Sequence, residues 1–225
     1  MLCANASLRR WGAVSSFISW DELENAIRNC RRCSLHRSRR NAVPGEGSRE
    51  SQVILIGEAP GSTEDEMGRP FVGAAGKLLT VIMESAGVPR WNVYITNVVK
   101  CRPPNNREPS DDEISLCSVY LEAQLRLLKP RAIVTLGNIA GRKIFSMGGM
   151  EWSGISRMRG RVYKMNILGL EAVVIPTLHP AAALYNPQLK KLLESDFELI
   201  KGVLDSFGGS ISRPKTLFNY MKQQH

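Results

Sequence analysis

Four cysteines at fixed spacing constrain this chain more than any other feature: Cys30-x2-Cys33, then Cys101, then Cys117, a C-x2-C-x67-C-x15-C pattern. A pair two residues apart can hold one metal centre from a tight turn. Two distant thiols can complete a four-thiolate shell, which suits zinc or an iron–sulfur cluster. Spacing alone leaves both open. Any such shell must draw together segments far apart in the chain, so it restricts the topology. Cys101 directly follows a predicted strand, in Thr96-Asn97-Val98-Val99-Lys100-Cys101, so the metal site and the strand end share one segment. The chain has five cysteines. An odd count with C-x2-C spacing fits metal binding in a reducing compartment better than a disulfide framework, with Cys3 as a spare free thiol.

The chain of 225 residues is long enough for one well-buried domain. No apolar run approaches the roughly 20 residues of a membrane span, and residues 1–18 carry no clean signal-peptide pattern. They are expected to form a flexible extension, and the protein is expected to be cytoplasmic. The net charge is +9. From Asn25 to Gly45 there is no acid, while Arg28, Arg31, Arg32, Arg37, Arg39 and Arg40 surround the C-x2-C turn. Arg102, Arg107, Arg157, Arg159 and Arg161 form further basic clusters. Solvated surface is the plain reading of these arginines, and a phosphate-tracking stripe beside the metal site is the sharper one.

Hydrophobic patterning alternates strands with helices. Val53–Gly57, Val93–Val99, Ala132–Leu136, Arg161–Ile167 and Ala172–Thr177 read as strands. Ser19-Trp20-Asp21-Glu22 opens a short helix that delivers Cys30, and Ala74–Ala86 reads as a helix stopped by Gly87. Residues 57–73 are rich in Gly, Pro and acids and read as a loop. Ser110-Asp111-Asp112-Glu113 is a capping box. The helix it opens carries Ile114, Cys117, Leu121, Leu125 and Leu128 at helical spacing, which turns Cys117 inward. Asn186-Pro187 caps a last long helix with Leu189, Leu192, Leu193, Phe197, Ile200, Leu204 and Phe207 on its buried face. The expected fold is α/β, a three-layer αβα domain over residues 19–207 with a central, mostly parallel four-stranded sheet. Residues 208–225 read as a separate flexible tail opened by Gly208-Gly209-Ser210.

Ligands of such sheets gather beyond the C-terminal strand ends. Three candidate segments lie there. The first, Gly57-Glu58-Ala59-Pro60-Gly61, lets backbone approach a small planar ligand and offers successive N–H groups to an anion. The second is Asn97, whose amide can donate and accept at once against the edge of a pyrimidine. The third is His179 in His179-Pro180-Ala181-Ala182, able to donate to a carbonyl that gains charge in a transition state. Taken singly, each also has an ordinary structural reading as a tight loop, a turn asparagine and a packed histidine.

Together these segments resemble the uracil-DNA glycosylase superfamily, and specifically its type-4, iron–sulfur members. The resemblance rests on G-E-A-P-G-x-x-E-D at Gly57–Asp65, G-R-P-F-V-G-x-A-G at Gly68–Gly76, T-N-V-V-K-C-R-P-P-x-N-R at Thr96–Arg107, H-P-A-A at His179–Ala182, and the four cysteine spacings. It covers roughly residues 20–207.

The resemblance implies an enzyme of base excision repair that flips uracil out of DNA and hydrolyses its N-glycosidic bond, leaving an abasic site. It implies that Gly57, Glu58 and Ala59 line the uracil pocket, that Phe71 stacks on the base, that Asn97 reads the N3–H/O4 edge, and that His179 donates to O2. It implies a [4Fe-4S] cluster on Cys30, Cys33, Cys101 and Cys117. Uracil leaves as an anion and no lysine nucleophile is required, so a monofunctional glycosylase is expected. The best-known uracil glycosylases carry an aspartate at the position of Ala59. Here either Glu58 positions the water or leaving-group stabilisation does most of the work.

Leu184, just after the histidine segment, is the candidate wedge for the gap a flipped base leaves, though a core position would suit it as well. In the tail, Leu217, Phe218, Tyr220 and Met221 resemble a sliding-clamp (PCNA) binding box whose leading glutamine is missing. A monomer acting on prokaryotic DNA is expected. Two alternatives remain: a non-catalytic iron–sulfur nucleic-acid-binding module, and a related glycosylase that links covalently to the abasic site through an inserted histidine loop. Residues 155–161 contain no histidine, which counts against the latter.

Overall fold

The computed structural model describes residue 17 and residues 19–207. The proposed clamp-binding residues Leu217, Phe218, Tyr220 and Met221, and the spare Cys3, lie outside the described residues.

Five-residue apolar runs build the centre of the sheet. Strands β1 (Glu46–Gly47), β2 (Val53–Gly57), β3 (Tyr94–Asn97), β4 (Ala132–Leu136), β5 (Tyr163–Ile167) and β6 (Leu170–Thr177) pair in the order β1-β3-β2-β4-β6-β5. The four inner strands, β3, β2, β4 and β6, run parallel. Two antiparallel edges, β1 and β5, extend the expected four strands to six. The β1 edge was not legible because it is two residues long and carries no alternation. β5 follows from a tight hairpin, since Ile167 pairs with Leu170 across Leu168-Gly169.

Side chains on β2 alternate between two cores, as the pleat requires. Ile54 and Ile56 pack with Leu23 and Ile27 of α1 (Trp20–Arg28), Leu121 and Leu125 of α4 (Asp111–Leu128), and Ile144 and Phe145 of α5 (Asn138–Met147). Val53 and Leu55 pack on the other face with Leu79, Ile82 and Met83 of α3 (Ala74–Ser85) and Leu193, Phe197 and Ile200 of α8 (Pro187–Asp205). The expected three-layer αβα arrangement follows. Leu192, expected on the buried face of α8, is 41% exposed; the stripe along that helix is narrower than its leucines imply.

Three short helices complete the fold: α2 (Ser62–Met67), α6 (Ile155–Met158) and α7 (Pro180–Ala183). α2 lies inside the segment read from sequence as a loop. Its N-cap is Gly61, without a side-chain cap, and it stops after six residues at Gly68 in the left-handed region. Neither a capping side chain nor an apolar period announced it. Among the described residues no helix is long and apolar enough to cross a membrane.

Candidate active site

The C-terminal ends of β2, β3 and β6 converge on one cavity of about 320 Å³. Glu58 and Ala59 line it from the end of β2, Asn97 from β3, His179 from the segment after β6, and Phe71 from the loop after α2. All three candidate segments therefore meet. Asn106 and Arg107, from the loop between Cys101 and Cys117, and Glu64 of α2 line it too. No lysine lines it.

Gly57 itself makes the floor by lacking a side chain. A Cβ there would fall 2.4 Å from Asn97 Oδ1 and 2.5 Å from Phe71 Cζ. The two side chains thus close over the glycine. Asn97 Oδ1 is buried and has no hydrogen-bond partner. An orphaned buried acceptor costs about 1–3 kcal/mol, so this atom is poised for a donor brought by a ligand.

Phe71 is buried although its φ is +52°, a left-handed backbone unusual for an aromatic residue. Three contacts hold it there. Gly76 of α3 packs so closely that its Cβ would sit 2.0 Å from the Phe71 carbonyl. Glu64 Oε1 accepts from the Val72 and Gly73 amides at 2.9 and 2.8 Å. From behind, the buried Arg90 donates to Pro70 O at 2.6 Å and Phe71 O at 3.3 Å. Glu46 holds Arg90 at 3.4 Å and Arg69 at 2.6 Å. Sequence reading missed Arg90, since an isolated arginine after a proline reads as surface.

His179 is the N-cap of α7, and its Nδ1 accepts from the Ala181 amide at 3.2 Å. Desolvation lowers its pKa to about 4. The ring is therefore neutral with its proton on Nε2, the tautomer that leaves Nε2–H as donor. Its ring lies 5.8 Å from that of Phe71. Glu58 is half-buried, and desolvation, reinforced by Glu108, raises its pKa. Its carboxylate makes no hydrogen bond among the described residues. Leu184 follows α7 as its C-cap and is half-buried, whereas its neighbour Tyr185 is 93% exposed.

The four cysteines line a second pocket together with Arg39, Lys100 and Tyr120. Cys30 follows the C-cap of α1, Cys33 precedes a 3-10 turn at Ser34–Arg37, Cys101 ends the segment after β3, and Cys117 faces inward from α4. Donors aim at the sulfurs: Arg39 Nη1 lies 2.9 Å from Cys101 Sγ, the Lys100 amide 3.3 Å from Cys117 Sγ, and the Arg32 amide 3.4 Å from Cys30 Sγ. Burial pushes the Cys117 thiol up to about 12, so a thiolate there needs a metal beside it. Among the described residues no three His, Cys, Asp or Glu groups sit close enough to hold a single metal ion.

Lys100 joins the two pockets. It is 1% exposed, and its Nζ donates to Asn97 O at 2.6 Å, Thr96 Oγ1 at 2.7 Å and Gln124 Oε1 at 2.7 Å. Gln124 and Thr96 in turn both donate to Pro44 O at 2.7 Å. No carboxylate pairs with this amine among the described residues, and desolvation lowers its pKa to about 7.

Many of the arginines that suggested a phosphate stripe are structural. Arg39 ties Arg28 O and Cys30 O to the Cys101 sulfur. Arg107 grips Glu113 with two bonds of 2.9 and 2.8 Å, and that pairing pulls the Glu113 carboxyl down to about 2. Glu113 also closes the expected capping box with Ser110. Arg159 is locked onto Asp196. Arg31, Arg37, Arg157 and Arg161 stay exposed, with no side-chain partner among the described residues.

Comparison with known proteins meets the same geometry. The type-4 uracil-DNA glycosylase of Saccharolobus solfataricus is 48% identical over 202 residues, covering 89% of this chain and 91% of that protein. That of Archaeoglobus fulgidus is 45% identical over 203 residues, covering 90% and 99%. The type-5 uracil-DNA glycosylase of Thermus thermophilus is more distant, at 33% over 138 residues, 55% of this chain and 63% of that protein. Residues 44–199, which hold the sheet and the cavity, match the Uracil DNA glycosylase superfamily, and with the type-4 relatives aligned along nearly the whole chain, the protein belongs to that superfamily, among its type-4 members.

Proposed function

We propose that residues 19–207 form a monofunctional uracil-DNA glycosylase domain that releases free uracil from DNA and leaves an abasic site for repair, working as a monomer in the cytoplasm. The observation that carries this is the orphaned acceptor Asn97 Oδ1 on the cavity floor, with the neutral His179 beside it. Uracil offers an N3–H donor between two carbonyls. Asn97 Oδ1 accepts from N3–H, its amide donates to O4, and His179 Nε2 donates to O2. Cytosine has an acceptor at N3 and a donor at C4, so it opposes both Asn97 contacts. A duplex hides this edge, so the base must be flipped. Phe71 offers a face for it to stack on, and Gly57 leaves the room.

Catalysis then rests on the leaving group. As the glycosidic bond stretches, charge collects on uracil O2, and a fixed donor in a dry pocket stabilises it more than the ground state. Glu58, unpartnered and with a raised pKa, is placed to take a proton from the water that attacks the sugar. Among the described residues no lysine lines the cavity wall to form a Schiff base, which supports hydrolysis without strand cleavage.

The four thiols fit a [4Fe-4S] cluster. They line one pocket and carry N–H donors to sulfur. Cys30, Cys33, Cys101 and Cys117 would hold it, and it would pin the loops flanking the cavity. The tail residues Leu217, Phe218, Tyr220 and Met221 would bind a sliding clamp; deleting residues 212–225 should abolish clamp binding and spare uracil release.

The deciding experiment incubates the purified protein with single- and double-stranded DNA containing uracil. Free uracil is the expected product. A covalent protein–DNA adduct, or tight binding without base release, overturns the reading.

A further inference from the structure

We infer that Gln124 of α4 is a positioning residue for base selection: it aims Lys100 at the backbone of Asn97 and so fixes the direction from which Asn97 reads the base. The inference rests on the glycosylase reading above. Gln124 is buried and does not line the cavity. It acts through hydrogen bonds to residues that do, or that hold them.

The grip on Asn97 is on its backbone. Asn97 O and the Val98 amide belong to one peptide plane. At one end of that plane Lys100 Nζ donates to Asn97 O at 2.6 Å. At the other the Val98 amide donates to Gly57 O at 2.9 Å, and the Val99 amide adds a bond to Glu58 O at 3.1 Å. A plane held at both ends cannot turn without breaking a buried hydrogen bond. The Asn97 side chain therefore leaves the backbone in one fixed direction, which brings Oδ1 over Gly57 and leaves it without a protein partner.

A lysine side chain is long and flexible, so its Nζ has to be aimed. Gln124 Oε1 and Thr96 Oγ1 do this, each accepting at 2.7 Å. Gln124 is fully committed. Its oxygen takes Lys100, and its Nε2 donates to Pro44 O at 2.7 Å and Tyr94 Oη at 3.2 Å. Thr96 donates its own O–H to the same Pro44 O at 2.7 Å, and the Val43 amide beside it donates back to Lys100 O at 2.7 Å. Donors and acceptors match around this ring, and a satisfied buried network specifies one arrangement. Selectivity follows. Asn97 separates uracil from cytosine only when its amide meets N3–H and O4 together, and a carbonyl free to swing blurs both contacts. His179 reaches O2 from the segment after β6 and shares no hydrogen bond with this network among the described residues.

The test is a double-mutant cycle on single-turnover uracil release. Gln124→Met keeps the length of the side chain and removes its donor and its acceptor. It should slow release by about tenfold or more, since a misplacement of about 1 Å costs on the order of 10²-fold. In an Asn97→Ala background, with no amide left to position, the same change should cost less than about threefold, whereas in a His179→Ala background it should cost its full factor. Thr96→Val opens the ring at a second point and should repeat this pattern; it carries the test if Gln124→Met does not fold. Binding of free bases gives a separate readout. Sulfur is a weak acceptor, so wild type should favour uracil over 4-thiouracil, and Gln124→Met should shrink that preference. Equal slowing in the wild-type, Asn97→Ala and His179→Ala backgrounds is general loosening and overturns the inference. So does a Gln124→Met protein that releases uracil within about twofold of the wild-type rate. Wild-type protein that releases no uracil overturns the glycosylase reading instead.

Discussion

Replacing Gly57 with alanine probes the cavity floor by one methyl group. The added Cβ would sit 2.4 Å from Asn97 Oδ1, 2.5 Å from Phe71 Cζ and 2.8 Å from Phe71 Cε2. Ordinary contact begins near 3.4 Å, so both side chains must retreat by about 1 Å. Neither can do so freely. Asn97 is 1% exposed, and the Phe71 backbone is braced by Arg90, Glu64 and Gly76. A misplacement of about 1 Å costs on the order of 10²-fold in rate, which is about 2.7 kcal/mol of transition-state stabilisation. Overpacking adds about 1–3 kcal/mol of lost fold stability. The assay is single-turnover uracil release, read beside a thermal melt. The control is Gly169→Ala, where φ is +85° and nothing lies within 4 Å of the new methyl; it should lower stability and leave the rate alone. A folded Gly57→Ala protein within about threefold of the wild-type rate would refute the packing of Asn97 and Phe71 over this glycine.

Three further outcomes are expected. Arg90→Met removes the donors to the Pro70 and Phe71 carbonyls, so it should cost on the order of 2 kcal/mol of stability and raise KM; an unchanged melting temperature would contradict the bracing role. His179 has its pKa lowered to about 4 from 6.5. Between those values the unfolded chain binds the proton and the folded one does not, so its contribution to stability is intact above pH 6.5 and is lost as pH falls towards 4. His179→Asn should flatten that part of the stability–pH curve, and an unaltered slope would count against the neutral tautomer. Glu58→Gln should slow uracil release by more than tenfold, about 1.4 kcal/mol; a smaller loss assigns the work to leaving-group stabilisation alone.

The parts of the fold that repeat a period were legible in the sequence. β2 and β4 show as apolar runs, α4 begins at its capping box, and α8 begins at Asn186-Pro187. The inward turn of Cys117 follows from helical spacing alone. α2 is not legible because glycines bound it at both ends and five of its six residues are polar, with Met67 alone apolar. The edge β1 was not legible because two residues carry no period. The site divides in the same way. Residues that touch the cavity occur in dense motifs, while those that hold them come from elsewhere. Arg90 and Gln124 act only through tertiary placement, and charge and amide groups read from sequence as solvent-facing. Arg159 looks from sequence like one of a basic cluster, and only the fold reveals its buried partner Asp196. Between Cys101 and Cys117, sequence shows Arg107 only as a charge, but its guanidinium serves Glu113 while it lines the cavity.

Lys100 carries a consequence for redesign. Its buried amine is held by two side-chain oxygens and the Asn97 carbonyl, beside four sulfurs and with no paired carboxylate among the described residues, and desolvation lowers its pKa to about 7. Four cysteines exchanged for well-packed apolar residues would remove the sulfurs that favour its charged form, so the amine would give up its proton in a dry interior. A neutral amine has two N–H groups for these three oxygens, so a pocket without its thiols makes Lys100 a fifth position to redesign. Once Lys100 goes, Asn97 loses the donor that fixes its backbone carbonyl. Emptying the thiol pocket while keeping Asn97 in register thus calls for a new donor to that carbonyl, built from outside the pocket.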